Sequence, residues 1–158
     1  MTPYLHAKLQ EEMERSERIV LDGHEFVPRF RVIAPDGDYH ILVPMPEDEW
    51  ERISRITLVA AFMAWKLASA FIVSGESKVP DAFYSFAIAR GVEPGGLLRP
   101  IWREPLELGS TITLGPEQCG EEFLQLLPGP SAKISEITLM EIKRVFGLGG
   151  EMEARRVN

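Results

Sequence analysis

Arginines at alternating positions are the residues of this sequence best suited to chemistry. Arg29 and Arg31 stand two apart in HEFVPRFRVIA, Arg99 and Arg103 share one parity in LLRPIWRE, and Arg90 closes the run before them. Side chains an even number of residues apart on a strand point the same way. If these strands are neighbours, Arg29, Arg31, Arg99 and Arg103 share one sheet face. A guanidinium fork there binds a carboxylate, a phosphate or an acidic peptide bidentately. The competing reading makes them solvated outer-face residues paired with Glu25, Glu93, Glu104 or Glu107.

Other groupings are weaker. His24-Glu25 with Asp36, Asp38 and His40 is the one set resembling a metal or acid–base site. A hairpin that pairs Ala34 with Tyr39 puts His40 near its turn and leaves His24 roughly 30 Å along an extended strand. The two histidines then meet only through a sharp bend at Pro28 or across a dimer. Ser74-Gly75-Glu76-Ser77 follows an apolar run, where catalytic residues often sit, but it lacks the G-x-S-x-G elbow and an identifiable histidine base. Glu76 is the carboxylate to watch there. Cys119, flanked by Glu117, Glu121 and Glu122 with no adjacent base, reads as an inert thiol. No catalytic residue, metal ligand or cofactor is assigned.

The elements that must position these residues follow from periodicity. Thr2 caps and Pro3 opens an amphipathic helix to Arg18, with an apolar stripe of Leu5, Leu9 and Met13 and with Glu11, Glu12, Glu14 and Glu17 mostly off it. Two β-rich runs around Pro35-Asp36-Gly37 form a hairpin, with Phe30, Val32, Ile41 and Val43 on one face and Arg29, Arg31, His40 and Leu42 on the other. Pro28 and Pro44 place this hairpin at a sheet edge or at its end. A long helix runs from Glu47 to about Ser69, apolar around most of its circumference, with a small-residue ridge of Ala60, Ala64 and Ala68. FIVSGES, AFYSFAIAR, LLRPIWRE and LELGSTITL then make an antiparallel meander. Short helices at EQCGEEFLQLL and at Thr138–Phe146 follow, the second with Thr138 and Glu141 as capping box and Ile137 with Ile142 as staple. The tail EMEARRVN is expected to be loosely held.

The succession DGHEFVPRF, a PDG turn, VPMP, the alanine-rich helix and FIVSGES spans Leu21 to Arg90. It resembles small uncharacterised proteins of bacteria and their phages that have a D-G-H…P opening, a hairpin, and a helix leading into a V-S-E-type strand. The resemblance implies no activity, and Ser74-Gly75-Glu76 departs from the usual Ser-Glu pair.

The order of elements predicts one α+β domain over residues 1–158: an antiparallel sheet, hairpin plus meander, packed on a long central helix with N-terminal and short C-terminal helices. A net charge of −7 argues against nucleic acid and anionic membranes as partners. The apolar run Ile56–Val73 holds Lys66 and turns β-like after Ser69, so it reads as helix then strand, not a membrane span. One cysteine and no recognisable leader suggest the cytoplasm. The leading expectation is a non-catalytic protein-interaction module that forms a homo-oligomer. The alternative is a hydrolase or anion-binding enzyme using Glu76, a histidine and the sheet arginines.

Overall fold

The hairpin forms where alternation and turn chemistry agree. In the computed structural model, which describes residues 1–129 and 131–157, β1 (Arg29–Ala34) pairs with β2 (Gly37–Leu42). The register sets Val32 against Tyr39 and Arg31 against His40, two residues from the expected one. Gly37 adopts a φ of 129° and shortens the turn to Pro35-Asp36. A slip of two leaves every side chain on its expected face.

After β2, α2 (Glu49–Trp65) crosses the sheet and delivers β3 (Ala70–Lys78) to the other side of β1. Strands β2 and β3 both run antiparallel to β1 and hence parallel to one another, which requires such a crossover. The meander follows as β4 (Asp81–Ala89) and β5 (Val92–Arg103), whose outer edge takes β6 (Leu106–Leu108) and β7 (Ile112–Leu114) in succession. The last strand, β8 (Ala154–Arg156), adds to β2. The eight-stranded order is β6-β5-β4-β3-β1-β2-β8, with β7 also beside β5. The fold is therefore α+β, as expected. The hairpin is not at the edge, because the tail expected to be loose supplies β8.

Both faces are covered, not one. The first helix, α1 (Pro3–Leu21), is capped by Thr2, whose Oγ1 accepts from the Leu5 amide at 3.2 Å. Its Leu5, Leu9, Met13 and Val20 pack on Ile33, Ile72, Phe83, Leu97 and Ile101. The opposite face carries Phe30, Val32, Ile41, Phe71, Val73 and Phe86 under α2 and α4 (Glu136–Phe146). Phe62 of α2 sits 4.9 Å from Phe146 of α4, centroid to centroid.

Helix α2 is shorter than expected. Asp48 caps it by accepting from the Glu51 amide at 2.7 Å, and the chain turns off at Leu67, whose φ is 56°. The buried stripe is Val59, Phe62 and Met63, while Ile53 and Leu67 are exposed. The alanine ridge is not formed: Ala60 and Ala64 are only half-buried, and Ala68 lies beyond the helix. The second short-helix region is a 3₁₀ turn (Pro116–Gln118) and α3 (Glu121–Leu124). Ser135, not Thr138, caps α4, accepting from the Thr138 amide at 3.2 Å. Ile137 is exposed, so no staple forms.

Candidate functional site

Strand parity places Arg29 and Arg31 on the α1 face, and α1 decides what becomes of them. Its Glu12 falls three residues after Leu9 and four before Ser16, on the side that meets the sheet, and is fully buried. Glu12 Oε1 accepts from Arg29 Nε at 2.8 Å, while Oε2 lies 2.9 Å from His40 Nε2 and accepts from Arg31 Nη1 at 3.3 Å. Arg29 Nη2 also donates to Ser16 Oγ at 3.2 Å. Arg31 donates to Asp38 Oδ2 from Nη2 at 2.8 Å and to Glu11 Oε2 at 2.7 Å. Burial alone would raise the Glu12 carboxyl, but the hydrogen bond with His40 and the charge of Arg29 bring it from 4.5 down to about 2. The carboxylate is ionised and enclosed, a clamp between helix and sheet.

The four sheet arginines share one face, as their parity predicted, but the structure does not gather them into one site. Arg29 and Arg31 are 2% exposed and held by the α1 and β2 carboxylates. Arg99 reaches Glu17 at 2.7 Å and donates to the Gly109 carbonyl at 2.9 Å. Arg103 bridges Glu76 and Asp81, each at 2.8 Å, at the far end of the sheet. The partners expected from sequence, Glu25, Glu93, Glu104 and Glu107, are not the ones used. Residues of α1 fill that role instead, because the helix lies across the strands. Glu12 and Ser16 were legible only as polar residues at apolar spacing: Leu5, Leu9, Glu12 and Ser16 recur at four, three and four.

The other candidates separate. Glu76 accepts from Arg103, whereas His40 lies on β2, two strands from β3. His24 is exposed after α1, its amide donating to the Ile19 carbonyl at 3.1 Å. Asp36 accepts from the Tyr39 hydroxyl at 2.7 Å. Ser74 is fully buried, and its Oγ lies 2.6 Å from Ser85 Oγ. Gly75 is required by packing: a Cβ there would come within 2.5 Å of the Tyr84 hydroxyl. Burial pushes the Cys119 thiol up, away from reactivity. Among the described residues, no group of three or more His, Cys, Asp or Glu side chains is placed to hold a metal ion. Nor is any described helix long and apolar enough to cross a membrane.

Two surfaces remain open. Outside α2 and α4, Trp50, Ile137 and Met140 are 80%, 82% and 72% exposed, beside a shallow groove lined by Trp50, Ile53, Leu58 and Glu141. On the α1 side, a cleft of about 760 Å³ opens beyond Arg15 and His40. Compared with protein families, curated proteins and solved structures, the chain gives no match.

Proposed function

We propose that this protein is a non-catalytic interaction module that associates with itself through the outer face of α2 and α4. The observation that carries the reading is the apolar surface of Trp50, Ile53, Ile137 and Met140. Ile137 stands one turn before Glu141, which lines the same groove as Trp50 and Ile53, so the two helices contribute to one face. Packing of α4 on α2 buries Ile142, Val145 and Phe146 but leaves these residues in water. Contiguous apolar surface of this kind marks interaction sites, and a two-fold contact is the commonest way to cover it. The enzyme alternative needs Glu76 beside a histidine, and Glu76 is instead paired with Arg103.

Sedimentation equilibrium at about tens of micromolar, the range of modest self-affinity, tests the proposal. The native chain is expected to sediment above its monomer mass of 17.8 kDa. Trp50→Glu with Ile137→Glu should return it to the monomer with stability changed by no more than about 0.5 kcal/mol. A native protein that is monomeric throughout this range ends the self-association reading.

A further inference from the structure

We propose that the cleft between the flank of α1 and β8 binds an organic anion, a carboxylate or phosphate group carried on an apolar body. Helix α1 lies over β3, β4 and β5, so the same face of β2 and β8 has no helix above it. Leu42, half-exposed, forms its shelf together with Ile19 and Pro44. His40, directly opposite Arg155 in the β2–β8 ladder, and Arg29 supply polar groups beside that shelf. The volume, about 760 Å³, falls within the range of small-molecule sites.

Its polar wall holds more donors than acceptors. Glu12 Oε2 lies within reach of His40 and Arg31, while Oε1 takes Arg29. Arg15 stands next in line, its Nε 3.8 Å from Glu12 Oε2, beyond hydrogen-bond distance. That Nε is buried and has no hydrogen-bond partner among the described residues, although the side chain as a whole is 41% exposed. A buried donor left without an acceptor is costly, and an incoming oxyanion supplies one. Glu151 and Glu153 also line the cleft, and Glu153 occupies Arg155 at 3.1 Å. The anion is therefore expected on the Arg15 side, with its apolar part over Leu42.

Amide shifts in an NMR titration with benzoate and with phenyl phosphate test this, with benzyl alcohol as the uncharged comparison. Saturable shifts at Arg15, His40 and Leu42 are expected in the millimolar range. Binding of one anion but not the other assigns the headgroup. Arg15→Gln should weaken binding about tenfold or more without unfolding the chain, since Arg15 makes no hydrogen bond to lose, whereas Arg103→Gln should leave it unchanged. No saturable shift with either anion overturns the proposal. So does Arg15→Gln that binds as the native chain does, or benzyl alcohol that binds as tightly as benzoate.

Discussion

On one face of the sheet, α2 and α4 lie on Phe30, Val32, Phe71, Val73 and Phe86, and the contact is hydrocarbon throughout. On the other, α1 brings Leu5, Leu9 and Met13 against Ile72, Phe83 and Leu97, but sets Glu12 and Ser16 among Arg29, Arg31 and His40. Strand β1 serves both, with Phe30 and Val32 up and Arg29 and Arg31 down. The first face is held by non-directional burial, which tolerates salt and acid. The second adds bonds that depend on one carboxylate staying charged, and a buried pair is far more sensitive to losing one partner than its net contribution suggests.

The largest expected effect lies on the apolar face. Phe62→Ala empties the space between Tyr39 and Phe146 and should cost about 3–5 kcal/mol, read from the urea midpoint and indifferent to added salt. A cost below about 1 kcal/mol would mean that the α2 face is not the main core.

Glu12→Gln comes next. It leaves Arg29 and Arg31 buried without their shared counter-charge, and about 3 kcal/mol should be lost at neutral pH. The native pH profile gives the same figure independently. The Glu12 carboxyl is depressed from 4.5 to about 2, so its contribution is complete above pH 4.5 and disappears as pH falls towards 2. Native protein and variant should therefore converge in urea midpoint across that acid window. Parallel curves would show that the buried ion pairs contribute little.

The smallest effect sharpens the apolar side. At Gly96, paired with Phe86, a Cβ would approach the Ser85 carbonyl oxygen to 2.6 Å and the Phe86 ring to 2.9 Å. Gly96→Ala should cost about 2 kcal/mol in thermal unfolding. Gly23→Ala meets no neighbouring atom but has a φ of 73°, so it tests backbone strain alone.

Much of this architecture was legible in the residues. Alternation in RFRVIA and YHILV sorted every side chain of the hairpin onto its face, although the turn was misjudged by one residue on each strand, because a two-residue slip preserves parity. Thr2, Pro3 and the four-residue stripe gave α1 its start and its buried side. What periodicity does not carry is which helix covers which face. The basic face of β1 therefore looked solvated, and the carboxylates that neutralise it lay out of view on α1. The tail Ala154–Arg156 has no strand pattern of its own; it is a strand because β2 offers an unpaired edge.

The Glu12 contacts also fix position along the helix axis. Leu5, Leu9 and Met13 recur every four residues, so apolar burial alone would nearly tolerate α1 sliding by one turn, about 5.4 Å, with one side chain taking another's place. A slide one way sets neutral Ser16 where Glu12 belongs, and a slide the other way drives Lys8 against Arg29 and Arg31. Neither alternative neutralises the two guanidiniums. The ion pairs thus act as an address, selecting one docking position among several that hydrophobicity would accept.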